Sequence, residues 1–295
     1  MASEKKLKLE LPVDSLATQL ETACVLEAAA RKPGNVHPQA SFEDLEFENF
    51  LDAAKVTGRV MSQVNQLGLG QAVLETVLET RRLTGSNVNL GITLLLAPLA
   101  AVDASQSLAD GIRSVLHGID LYDTELVYTA IRCVCAGGLG EVPDQDISQR
   151  PKLPLLECMA LAKHRDAIAL QYCQHFEQIL NDGRQVFLKW TQQGYDWETS
   201  IIGTQLEMMQ RMPDSLIVRK CGIETAQDSA LLAKRVLAAG WPNSSHGRMM
   251  LQDFDDWLRA DGHRRNPGTT ADMIAAVLFS AVRDRQWTPP SELWI

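Results

Sequence analysis

Asn87-Val88-Asn89-Leu90-Gly91-Ile92-Thr93-Leu94-Leu95-Leu96-Ala97-Pro98-Leu99-Ala100-Ala101-Val102 decides the fold class of this chain. Wound as a helix, the stretch is apolar on nearly every side, and such a helix is buried all round. Its longest apolar run, residues 90–102, carries Gly91, Thr93 and Pro98 and is too short to span a bilayer. It is predicted to be the central helix of a bundle, bent at Pro98. Such a helix needs others packed around it, and the flanking sequence supplies them. Leu16, Leu20, Cys24 and Ala28 form one stripe of a helix over 14–31 that Asp14 or Ser15 can cap. Further helices are predicted over 47–64, 71–83, 105–117, 122–136, 198–212, 225–239, 251–261 and 269–285, with one long amphipathic helix over 166–190. Period-2 alternation is nearly absent and aromatic residues are only 6% of the chain, so strands are not expected. The reading is a single all-α domain over residues 1–295, with residues 1–12 flexible.

The 295 residues are 45% hydrophobic, enough for a large core. A net charge of −9 argues against a general nucleic-acid binder, although local Lys and Arg can still make a phosphate pocket. The polar N-terminus lacks the apolar core of a signal peptide. Six Cys without disulfide-like or zinc-like spacing read as reduced, buried residues of a cytosolic protein. A membrane partner is not expected either, and the oligomeric state stays open.

Polar loops punctuate the helices. In Arg31-Lys32-Pro33-Gly34-Asn35-Val36-His37, Pro33 ends the first helix, and Gly34 permits a sharp turn and close approach to a ligand. Glu27 lies about one turn before it. Lys32, Gly34 and Asn35 can bind an anion there, or the loop is a C-cap with solvated cations. Asn87 and Asn89 precede the apolar helix, whose N-terminus offers free N–H groups. Ser86 or Asn87 can equally serve as an N-cap. Gly137-Gly138-Leu139-Gly140-Glu141 follows a helix rather than a strand, so the dinucleotide fingerprint fails. Asn266-Pro267-Gly268-Thr269-Thr270-Ala271-Asp272 opens the last helix, with Asn266 as N-cap and Pro267 as first residue. Asp272 then lies beyond the reach of capping. Asp166 opens its helix, where it can complement the dipole. Arg219 and Lys220 are either phosphate ligands or ordinary surface charges.

The order of these loops is more specific than any one of them. Lys-Pro-Gly-Asn-Val, Asn-Val-Asn-Leu-Gly before an apolar helix, Gly-Leu-Gly-Glu, and Asn-Pro-Gly-Thr-Thr-Ala-Asp together resemble the triphosphoribosyl-dephospho-CoA synthase family over residues 23–282. Departures place the chain nearer a divergent branch. His37 stands where the citrate-lyase type is acidic, and Val88-Asn89-Leu90-Gly91 replaces Thr-His-Lys-Gly.

The resemblance implies an all-α enzyme that moves the 5-triphosphoribosyl group of ATP to the 2′-hydroxyl of 3′-dephospho-CoA and releases adenine. The product is the precursor of an acyl-carrier prosthetic group. A carboxylate would favour the oxocarbenium-like transition state and a base would take the hydroxyl proton. Glu27, Glu141 and Asp272 are the catalytic candidates, with Asp166 and Asp272 as candidate Mg²⁺ ligands. Lys32, Gly34, Asn35, Asn87, Asn89, Gly138, Gly140, Arg219, Lys220 and Gly268 are the ATP-binding candidates. Two alternatives remain at this point. One is a same-fold ATP-dependent glycosyl or phosphoribosyl transferase with another acceptor; the other is a nucleotide-binding protein without turnover.

Overall fold

The computed structural model describes residues 7–86, 88–134 and 144–295. Among them the chain is helical, as the apolar patterning requires, with one small sheet. The helices are α1 Leu16–Ala29, α2 Phe47–Met61, α3 Val64–Leu67, α4 Leu69–Thr84, α5 Leu90–Ala100, α6 Leu108–Gly118, α7 Leu121–Cys133 and α8 Leu155–Ala162. They continue with α9 Ala167–Cys173, α10 Arg184–Gln192, α11 Trp197–Arg211, α12 Ser215–Cys221, α13 Ile223–Ala238, α14 Ser245–Arg259 and α15 Gly268–Arg283.

Helix α5 is buried from Ile92 to Ala100, with Pro98 inside it, as its composition demands. It does not hold the centre alone. In α15 every residue from Met273 to Val282 is buried, so α5 and α15 run through the core together, enclosed by α1, α2, α4, α6 and α9. A second apolar cluster joins α10 to α14 around Trp190, Leu206, Ile217, Trp241, Phe254 and Leu258.

Four sequence expectations need correction. Residues 8–10, expected to be flexible, form β1 (Lys8–Glu10), which pairs antiparallel with β2 (Glu292–Trp294), and Leu11 is buried in the main core. The long helix over 166–190 is broken. His175 and Phe176 take φ of 49° and 62°, and a π-turn at Gln178–Gly183 leads into α10. The break places both Tyr172 and Phe176 in the core, their rings 5.6 Å apart. It also lays Gly183 on α15, where a Cβ would stand 2.7 Å from a Val277 methyl. Residues 215–221, read as part of a loop, form the short helix α12, and residues 155–162, assigned to no helix, form α8. Asn266 does not cap α15. That helix starts after Pro267 with no cap of its own, and Asp214 instead accepts hydrogen bonds from the Thr270 N–H and hydroxyl, both at 2.7 Å.

Candidate active site

A cavity of about 1120 Å³ opens where the ends of α1, α5, α9, α12 and α15 converge. One end is polar, with Glu27, Asp166, Arg219, Lys220, Thr269 and Asp272 in its wall. Phe50, Tyr128, Ile131, Leu155 and Met159 also line the cavity, together with Asp144, Gln145 and Asp146.

Asp272 lies one turn into α15, pressed against the first turn of α5. A Cβ on Gly91 would stand 2.0 Å from its Oδ2, so only glycine admits the carboxylate there. Among the described residues no hydrogen bond or ion pair reaches that carboxylate. Burial, and then repulsion from Glu27, Asp214 and Asp166, raise its pKa well above the usual carboxylate range. Glu27 is buried in the facing wall and paired with Lys32, Oε1 to Nζ 2.9 Å.

The cations lie along α12. Asp214 starts this helix by accepting from the Leu216 N–H at 2.8 Å and the Ile217 N–H at 3.1 Å. The last turn then carries Arg219 and Lys220 into the wall of the cavity. Among the described residues Arg219 makes one ion pair, a 3.5 Å contact with Asp166, and its buried Nε meets no hydrogen-bond partner. A guanidinium so weakly held is free to take an anion. Burial, and Arg219 beside it, lower the pKa of Lys220, so an anion would stabilise it there. Arg165 and His263 add to the rim.

The structure sorts the remaining candidates. Lys32 is fully buried and not in the cavity wall; its ammonium meets the carboxylate and the carbonyl of Glu27 rather than facing the cavity as a phosphate ligand would. Gly34 has φ of 77°, and its N–H donates to Asp255 at 2.6 Å. Asn35 reaches the wall, but its side chain is held by Asn266 at 2.6 Å and Gln205 at 2.8 Å, while Arg259 donates to its carbonyl. Gly34 and Asn35 thus tie the first loop to the last and shape the wall. Gly268 also reaches the wall, and a Cβ on it would stand 2.6 Å from a Leu216 methyl. Asn89 turns away from the cavity: its Nδ2 lies 3.5 Å from the Thr57 hydroxyl, and its Oδ1 has no partner among the described residues. Asp166 caps α9 through Oδ1 and faces Arg219 through Oδ2. Asn87, Gly138, Gly140 and Glu141 lie outside the described residues.

Arg165, Gln205, Asp214 and Asp255 escaped the sequence reading as site residues. Only Asp214 had a local signal, an Asp-Ser pair ahead of an apolar turn.

The fold is all-α, and one cavity brings carboxylates and cations together in its wall. The sequence model of the CitG family, ATP:dephospho-CoA triphosphoribosyl transferase, matches residues 13–290, and the chain belongs to that family. It is thus a transferase with ATP as a substrate. No curated protein matches the sequence. Among solved structures, one from Archaeoglobus fulgidus assigned as a triphosphoribosyl-dephospho-CoA synthase superposes with a TM-score of 0.61 at 23% identity. The match covers 79% of this chain and 98% of that one, and it shows the shared fold.

Proposed function

We propose that the polar end of the cavity is where the ribose of ATP loses adenine and takes on the acceptor hydroxyl. In this reading Glu27 faces the ribose as an anion. Its negative charge favours the oxocarbenium-like state as the glycosidic bond to adenine lengthens. The acceptor hydroxyl oxygen bonds to the anomeric carbon, and its proton passes to Asp272. Adenine leaves with the electron pair of the broken bond and gains a proton from water. Arg219 and Lys220 hold the intact triphosphate. The apolar side chains in the lining, Phe50, Ile131, Leu155 and Met159, suit the uncharged arm of dephospho-CoA.

The observation that carries this reading is the unpartnered Asp272 carboxylate beside Gly91. A carboxyl group whose pKa is raised by burial accepts a proton more readily than an ordinary carboxylate.

Magnesium finds no prepared protein cage. Asp166 is engaged by the α9 cap and Arg219, and among the described residues no three His, Cys, Asp or Glu side chains converge as ligands. Magnesium bound mainly by phosphate oxygens needs no such cage.

The test is chromatography of ATP incubated with dephospho-CoA and either the natural chain or Asp272→Asn. The natural chain should form adenine and triphosphoribosyl-dephospho-CoA in equal amounts. The variant should fold and form neither. Full turnover by the variant would remove Asp272 from the chemistry.

A further inference from the structure

The pairing of Lys32 with Glu27 has a chemical consequence. Helix α1 ends at Ala29, and the Asn35 N–H bonds back to the Lys32 carbonyl at 3.2 Å, closing the Pro33-Gly34 turn. The turn sends the Lys32 side chain back along the helix it has just left. Its ammonium lies 2.9 Å from Glu27 Oε1 and also donates to the Glu27 carbonyl, one of the acceptors a helix end leaves free. Lys32 is 0% exposed and Glu27 4%. Both charges are therefore out of water, each with the other as counter-ion.

We propose that Lys32 is a positioning residue: its buried ammonium fixes the Glu27 carboxylate in the cavity wall, and it does not bind the triphosphate. This rests on the reading in which Glu27 faces the ribose. Glu27 lies close enough to Asp272 to raise the pKa of that carboxyl group, after burial. A fixed cation behind Glu27 holds its carboxylate in one place in the wall. For Lys32 to reach a phosphate it would have to strand Glu27 as an unpaired buried charge.

The experiment is a double-mutant cycle with Lys32→Met, Glu27→Gln and the pair combined, plus Lys32→Arg. Adenine release is followed against ATP concentration, ATP binding by calorimetry, and melting by circular dichroism. Lys32→Met should lower kcat roughly 100-fold, the scale of misplacing a reacting group by about an ångström. The KM and Kd for ATP should stay within about threefold, because uniform ground-state binding is untouched. Lys32→Arg should recover part of kcat. The combined variant should be no slower than the slower single variant, and should melt above Lys32→Met because no charge is stranded.

A tenfold weaker ATP affinity at unchanged kcat would make Lys32 a phosphate ligand and overturn the proposal. So would losses that multiply in the combined variant. If the natural chain released no adenine, the proposed function would fall. The melting cycle and the ATP affinities would still decide whether Lys32 acts through Glu27.

Discussion

Gly91→Ala separates stability from activity at the point where two helices meet. In an exposed helix this change adds up to about 1 kcal/mol of stability through propensity. Here the new Cβ would stand 2.0 Å from Asp272 Oδ2, 2.5 Å from its Cγ and 2.9 Å from the Ile168 Cδ1 methyl. The methyl is the end of a flexible side chain and can yield. The carboxylate must retreat from 2.0 Å to an ordinary contact near 3.4 Å, a shift of about 1.4 Å. Turning Asp272 off its rotamer costs about 0.5–1.5 kcal/mol, close to the propensity gain. Stability should therefore stay within about 1 kcal/mol of the natural chain in urea or thermal melts. A reacting group misplaced by about an ångström costs on the order of 100-fold in rate. Adenine release should fall by that factor. Undiminished adenine release would show that the placement of Asp272 against Gly91 has no part in the chemistry. A loss of several kcal/mol would show that Gly91 serves packing first.

Two further outcomes follow from burial. Leu95 is 0% exposed in α5, and Leu95→Asp should leave the chain unfolded by circular dichroism, since an unpaired buried charge costs several kcal/mol, on the order of total stability. His37 has its pKa lowered to about 4 from 6.5, by burial first and then by Arg259. The unfolded chain therefore takes up this proton at higher pH than the folded one, and stability falls as pH drops from about 6.5 towards 4. His37→Gln should reduce that acid-side loss of melting temperature, and an unchanged pH dependence would contradict the assignment.

What the sequence revealed follows from which forces act locally. Helix α5 was legible because thirteen consecutive residues, 90–102, offer no solvent face. Asp272 stood out as a candidate because four small residues precede it and capping could not account for it. The role of Lys32 was hidden. A lysine before a Pro-Gly turn looks solvated until the turn is seen to send it back to Glu27, five residues upstream. The start of α15 was hidden for another reason, because its N-terminal donors are met by Asp214, 56 residues away in sequence. The break at His175 and Phe176 answers a tertiary demand, the burial of two aromatic rings, which outweighs a helical pattern that is continuous in the sequence.

The most direct test of the account is an experimental structure of the Asp272→Asn variant with ATP bound. The account predicts the triphosphate on Arg219 and Lys220, the anomeric carbon of the ribose between Glu27 and position 272, and Lys32 still paired with Glu27. A triphosphate lying on Lys32, or a ribose outside the cavity between α1, α5 and α15, would contradict it.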